Sequence, residues 1–229
     1  MDIKQITELI EALVSLISAI SWPLVAVFIV VFLGNPIKAI LGNLSELSLK
    51  AGGFETQAKT KEIEAAASLG AAVAQEKSAS KPENKIATEN ESFKIVGLVN
   101  RVFQPRVINR LINRKILWVD DRPDNNFYER KSLEALGIQF TISKSTEDAL
   151  NKLRQNNYDV IISDMGRPED DRAGYQLLDE IKKMGINTPF IIYSGSNLPE
   201  HKAEARQKGA YGSTNIATEL FELVVSSIG

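Results

Sequence analysis

The residues whose types could do chemistry fall at the ends of apolar runs. Asp120 and Asp121 follow ILWV at 116–119, Asp164 closes YDVIISD, and Ser194 with Gly195 closes TPFIIYSG. Two adjacent carboxylates repel, and taking either out of water is costly unless a cation or hydrogen-bond donors compensate. The chain has no cysteine and a single histidine, His201, in the polar stretch LPEHKAEARQKG, where it reads as a surface helix residue. Thiol nucleophiles, cysteine-held zinc, histidine metal clusters and the usual catalytic triads are thereby excluded. Three carboxylates and a hydroxyl form an all-oxygen set, and such hard ligands suit magnesium. A carboxylate beside that ion can act as a nucleophile toward phosphorus, because the charge developing on the phosphoryl oxygens is neutralised. Helix capping or turn formation accounts for Asp121 or Asp164 singly and explains all three poorly.

These residues converge only if the runs are neighbouring strands. KILWVD, IQFTIS, YDVIISD, TPFIIYSG and, less clearly, GAYGST are the strand candidates. Between them lie FYERKSLEALG, STEDALNKLRQNN, AGYQLLDEIKKMG and LPEHKAEARQKG, and ATELFELVVSSIG closes the chain. Ser145 with Asp148 three residues on makes a capping-box start for the second helix. Strands apolar on both faces, separated by amphipathic helices, imply a parallel sheet covered on both sides. The expected fold of 115–229 is therefore α/β: a doubly wound, five-stranded parallel sheet. Ligands of such sheets bind beyond the carboxyl ends of the strands, where Asp120, Asp121, Asp164 and Ser194 stand.

On these residues the segment 115–229 resembles the receiver domain of bacterial response regulators, a flavodoxin-like fold. The acidic pair after the first strand, Asp164, Met165 and Pro168 in SDMGRP after the third, and Ser194 before a small residue after the fourth carry the likeness. The run STEDALNKLRQNNYDVIISD also follows the family's helix-to-strand pattern. The resemblance implies that Asp164 accepts a phosphoryl group and that Asp120, Asp121 and Asp164 hold magnesium with the backbone carbonyl of Gly166. It makes Ser194 the hydroxyl that moves toward the new phosphate, with a histidine kinase or small phosphodonor as the source.

The sequence departs from the family at the fifth strand. GAYGSTNIATEL places Asn215 or Ile216 where the family carries a lysine that pairs with the phosphate, and Lys208 lies too early to replace it. An asparagine donates a hydrogen bond but brings no charge. Tyr211 falls close to the family's aromatic switch position. RPEDDRAG adds Glu169, Asp170 and Asp171 to the loop after the third strand, a concentration of charge that would repel a phosphodonor.

The first half of the chain has a different character. No charged residue occurs from 12 to 37, and the 22 residues at 12–33, ALVSLISAISWPLVAVFIVVFL, would form a helix of roughly 33 Å, enough to cross a bilayer. The preceding MDIKQITELIE is acidic on balance, unlike a signal peptide, and Ser15, Ser18, Ser21 and Pro23 are tolerated in membrane helices. A buried helix of a soluble domain is the other reading of the same run. Lys38 and Lys50 after the span place the C-terminal bulk in the cytoplasm, which makes the chain a single-pass protein of the inner (cytoplasmic) membrane. Ile3, Ile6, Ile10, Leu13, Ile17 and Ile20 fit a self-associating heptad seam, hence a homo-oligomer, and equally fit a lipid-facing helix rich in isoleucine. Residues 35–51 read as an amphipathic helix, 57–74 as an alanine-rich one, and 75–92 as a flexible polar linker. From 94 to 115 there are six basic residues and no acid. Arg106, Arg110 and Arg114 would form a stripe on a helix begun by Pro105, beside Val107, Leu111 and Ile112. That stripe suits a solvated face, anionic lipid or the acidic surface of the next domain. With 27 basic against 29 acidic side chains and no aromatic interleaving, nothing indicates nucleic acid.

The sequence thus predicts four regions: 1–34 with a transmembrane helix, 35–92 with juxtamembrane helices and linker, 93–114 as a basic helical segment, and 115–229 as the receiver-like domain. The expected function is that of a membrane-anchored signalling protein, not an enzyme, phosphorylated on Asp164 and acting through protein contacts. The chain ends at Gly229 directly after its last helix, so no DNA-binding output module is expected. A degenerate pseudo-receiver that serves only as an assembly scaffold is the alternative, and a magnesium-dependent phosphohydrolase ranks last.

Overall fold

The apolar runs become strands and the amphipathic segments the helices that cover them. In the computed structural model, which describes residues 53–79, 87–168 and 170–229, the strands are β1 (Lys115–Val119), β2 (Gln139–Ser143), β3 (Val160–Ser163), β4 (Phe190–Tyr193) and β5 (Gly212–Thr214). The helices, in chain order, are α1 (Gly53–Ala79), α2 (Ala87–Val102), α3 (Pro105–Leu111), α4 (Phe127–Glu134), α5 (Thr146–Gln155), α6 (Ala173–Lys183), α7 (Pro199–Gln207) and α8 (Ala217–Ser227). A short 3-10 turn, Pro123–Asn126, leads into α4. All strand pairs are parallel and the order is β2-β1-β3-β4-β5, the expected doubly wound sheet.

Alternation along the strands divides the core into two layers. Leu117, Val119, Ile161, Phe190 and Ile192 meet Ala149 and Leu153 of α5, Leu177, Leu178 and Ile181 of α6, and Ala205 of α7. Ile116, Trp118, Val160, Ile162 and Ile191 face the other way, onto Leu133 of α4 and Leu220, Phe221 and Val224 of α8. The second layer is thicker than the sequence predicts. Ala65, Leu69 and Ala72 of α1, Ile95, Leu98, Val99 and Val102 of α2, and Leu111 of α3 are buried in the same cluster. Residues Ala58–Gly229 accordingly form one compact unit, not a receiver domain hung on a linker.

Several expectations change in consequence. The flexible linker at 75–92 gives way at both ends: Gln75–Ala79 continue α1 and Ala87–Ser92 open α2. These polar stretches are helical because one stripe of α1 and one of α2 is apolar and buried against the core. The basic segment 93–114 is two helices, broken at Gln104 where Pro105 restarts the chain as the first residue of α3. Arg114 leaves the expected stripe, because α3 ends at Leu111 and Asn113 turns through a positive φ of 64°. Arg114 instead pairs with Asp159 at 2.9 Å, and Ile112 is exposed. The Ser145 cap forms, its hydroxyl accepting from the Asp148 N–H at 3.1 Å, while the Asp148 carboxylate turns to Ser143 and Lys152. Among the described residues no helix is long and apolar enough to cross a membrane. The candidate span at 12–33, the heptad seam, the 35–51 helix and Glu169 lie outside the described residues.

Candidate functional site

Parallel pairing aligns the strand ends. Val119 sits opposite Ser163 and Ser163 opposite Ile192, so Asp120 and Asp164 emerge side by side, with Ser194 one step beyond the end of β4. Backbone bonds hold this register past the last paired residues: Asp120 N–H to Ser143 O at 2.9 Å, Asp164 N–H to Val119 O at 3.0 Å, and Ser194 N–H to Thr214 O at 3.1 Å. Asp120, Asp121 and Asp164 each bring a carboxylate oxygen within 4.8 Å of the others. An open cavity of about 650 Å³ is lined by these three, Gly166, Ser194 and Asn215. Every residue the sequence assigns to the site is therefore brought to one place.

The three carboxylates are held differently. Asp120 is 5% exposed and fully partnered: the Arg122 N–H donates to Oδ1 at 2.7 Å and the Asn126 amide to Oδ2 at 2.5 Å. Asp121 is half-buried and pairs with the exposed Arg122 at 3.4 Å. Asp164 lies between these two in exposure, and its Oδ1 is buried without a hydrogen-bond partner. Burial pushes the Asp164 carboxyl up to about 7; Arg167 opposes this, while Asp120 and Asp121 add to it. A buried oxygen met only by the Arg167 guanidinium, among three converging acids, is the donor set a hard divalent cation takes, and the residues fit magnesium on that ground. Gly174 packs against the Asp164 backbone, its N–H donating to Met165 O at 2.8 Å. A Cβ there would stand 2.5 Å from Asp164 O.

Sequence reasoning missed three features. Arg167 is nearly fully buried, its guanidinium 3.2 Å from Asp164 Oδ1. Its signal was position alone, a basic residue between Gly166 and Pro168 in a tight loop. Second, Asp170 does not project toward the cavity: its carboxylate accepts from Arg172 N–H at 2.7 Å and from the Gln176 amide, leaving Asp171 as the described loop acid lining it. Third, Glu76 of α1 lines the same cavity. Its Oε1 accepts the Ala217 N–H at 2.5 Å, at the start of α8, where Ile216 offers no side-chain cap. The Tyr193 hydroxyl reaches both Glu76 Oε1 at 3.2 Å and Glu129 Oε1 at 2.9 Å. Burial pushes both glutamates above the usual carboxylate range, and the Tyr193 phenol well above its own. Of the two candidates Asn215 and Ile216, Asn215 directly follows β5 and lines the cavity, and its amide donates to Gly195 O at 3.4 Å.

Comparison with known proteins places this geometry. Residues 116–214 match the response regulator receiver domain family. Over 94 residues the chain is 35% identical to the sensor histidine kinase RcsC of Escherichia coli (strain K12), a match covering 41% of this chain and 10% of that kinase. Over 98 residues it is 32% identical to the gliding motility regulatory protein of Myxococcus xanthus, covering 42% and 12%. The receiver domain of Francisella response regulator 1452 superposes with a TM-score of 0.45 at 30% identity, covering 51% of this chain and 96% of that one. The chain thus spans about a tenth of the length of these two curated relatives. Residues 116–214 carry the receiver domain match, and the similarity to the sensor histidine kinase extends over 94 residues of the chain.

Proposed function

We propose that this chain is a membrane-anchored signalling protein whose receiver domain accepts a phosphoryl group on Asp164 in a magnesium-dependent phosphorelay. It acts through protein contacts and not as an enzyme. The observation that carries this reading is the convergence of Asp120, Asp121 and Asp164 within 4.8 Å beside Ser194. Magnesium held by the three carboxylates, with the Gly166 carbonyl as a further donor, would neutralise charge on the transferring group. Asp164 offers a carboxylate oxygen to phosphorus, and Asn126 and the Arg122 N–H keep Asp120 fixed while it does so. A histidine kinase or a small acyl phosphate is the donor. The attached dianion then draws on the Ser194 hydroxyl.

A path from that hydroxyl to the N-terminal helices supports an output by contact. Ser194 adjoins Tyr193, whose hydroxyl holds Glu76 of α1, and Glu76 caps α8. Movement of Ser194 would therefore bear on the seating of α1. The anchor is the apolar run at 12–33, in the inner membrane with the receiver domain in the cytoplasm, and its isoleucine seam provides for self-association. A scaffold without phosphorylation is the second reading, favoured by the uncharged Asn215 and its bond to Gly195 O.

Both readings are separated by incubating the detergent-solubilised full chain with magnesium and acetyl phosphate, followed by intact mass measurement. A gain of one phosphoryl group in the wild type and none in Asp164→Asn supports the phosphoacceptor. No gain in either, with the melting temperature still raised by magnesium, leaves the scaffold. Retention of the chain in carbonate-washed membranes tests the anchor, and release into the wash would refute it.

A further inference from the structure

The cavity gathers the three converging carboxylates, with Glu76 and Asp171 also in its lining, and its described basic lining residues are Arg122 and Arg167. Arg122 is 75% exposed and engaged with Asp121. Arg167 is the reverse, with a side chain only 6% exposed. A guanidinium at that depth carries a large desolvation penalty, which filling space does not explain, since an apolar side chain would fill it better. Its position is over-determined. Nη2 donates to Ser163 Oγ at 2.7 Å, Nη1 donates to Thr146 Oγ1 at 2.9 Å, and the Arg167 backbone exchanges two hydrogen bonds with Asp170, at 2.9 and 3.0 Å. Nη2 stands 3.2 Å from Asp164 Oδ1, and Nε is buried with no partner. The side chain therefore has a fixed orientation, a charge directed at the carboxylate, and donor capacity that the resting protein leaves unused. Across the cavity Asn215 contributes no charge.

From this geometry we infer that Arg167 is the resident cation of phosphoryl transfer at this site, holding the Asp164 carboxylate before attack and a phosphoryl oxygen after it. The inference rests on Asp164 being the acceptor. In the step concerned, an Asp164 carboxylate oxygen forms a bond to phosphorus while the bond from phosphorus to the acetate oxygen of acetyl phosphate breaks. Acetate leaves with that electron pair, and no proton or further co-reactant is required. The charge carried by the phosphoryl oxygens then lies on Asp164, within reach of a planar fork of donors suited to phosphate.

The test compares the full chain with Arg167→Met, Arg167→Lys and the double variant Arg167→Met/Asn215→Lys, each incubated with magnesium and limiting acetyl phosphate. The readouts are the initial rate of phosphorylation, the lifetime of the acyl phosphate and the melting temperature. Removing one fixed donor to a developing oxyanion lowers a rate about 100-fold, and that loss is expected for Arg167→Met. Arg167→Lys keeps the charge without the fork and should fall between. A lysine at 215 reaches the same phosphoryl group from the end of β5, and should restore at least about tenfold of the loss. Rescue from the opposite strand end cannot come from repacking around Ser163 and Thr146, so it supports the inference. Wild-type rate and lifetime in a folded Arg167→Met protein would overturn it. So would a loss that neither lysine variant relieves, which marks a structural arginine. If the wild type itself gains no phosphoryl group, the acceptor reading fails first and the inference falls with it.

Discussion

Replacing Asp164 by asparagine should stabilise the metal-free protein, although it removes the residue on which the proposed function depends. The Asp164 carboxyl is pushed from an ordinary 3.8 up to about 7, mainly by burial. At ~1.4 kcal/mol per pH unit, the ionised group therefore weakens the fold by about 4 kcal/mol. The sign follows from proton binding. Between pH 4 and 7 the native protein holds this proton more tightly than the unfolded chain, so stability falls as the pH climbs through that window. The full penalty is present above about 7 and absent below about 4. Asparagine removes it, and the attraction of Arg167 at 3.2 Å is already contained in that shift, so its loss is not a second cost. A net stabilisation of up to about 4 kcal/mol at pH 8 follows, or roughly 8 to 16 °C in melting temperature for a unit of this size.

Thermal melts in EDTA at pH 5, 7 and 8 provide the assay. Asp164→Asn should melt above the wild type at pH 8, and the gap should narrow steadily toward pH 5. Magnesium should then narrow the gap, because a ligand at ten times its Kd adds ~1.4 kcal/mol to the wild type and the variant has lost one of three donors. A variant no more stable than wild type at pH 8 in EDTA, or a gap that does not shrink with falling pH, would refute the account of a carboxylate whose burial Arg167 only partly offsets.

Two further outcomes follow from single contacts. Glu76→Ala removes the acceptor of the Ala217 N–H and of the Tyr193 hydroxyl, and should cost about 1 to 2 kcal/mol in urea unfolding. Glu76→Gln, which keeps an acceptor oxygen, should lose under ~1 kcal/mol; equal losses in the two variants would mean that the cap contributes nothing. Gly174→Ala places a Cβ 2.5 Å from Asp164 O and 3.1 Å from Met165 Cα, backbone that cannot swing aside. It should cost about 1 to 3 kcal/mol, and an unchanged urea midpoint would show that the loop yields freely.

The chemistry-bearing strand ends were legible because a parallel sheet makes its strands apolar on both faces, so each run stops where the chain meets solvent. A carboxylate placed at such a stop has few local explanations, and three of them in matching positions have one. The position opposite them, Asn215 or Ile216, was legible only through the family resemblance, because β5 is the short polar run GST and not an apolar one. What could not be read was any residue whose partner lies far along the chain. Glu76 sits in a polar stretch that resembles a linker, and its role exists only because the start of α8, 141 residues later, has no cap of its own. Local pattern contains no trace of that vacancy, since Ile216 is an ordinary strand-to-helix junction. Arg167 lies in RPEDDRAG, where charge density suggests a solvated loop, and lysine and arginine are rarely buried unless paired. Its pairing with Thr146, 21 residues away, and with Ser163 and Asp164 is a property of the closed sheet. The two misreadings share a cause. Composition reports the average solvation of a segment, whereas a buried charge is decided by a few donors and acceptors assembled from elsewhere. The same argument explains why both surprises lie at the cavity: converging carboxylates need counter-charge and fixed neighbours, and the fold supplies them from outside the strands that carry the acids.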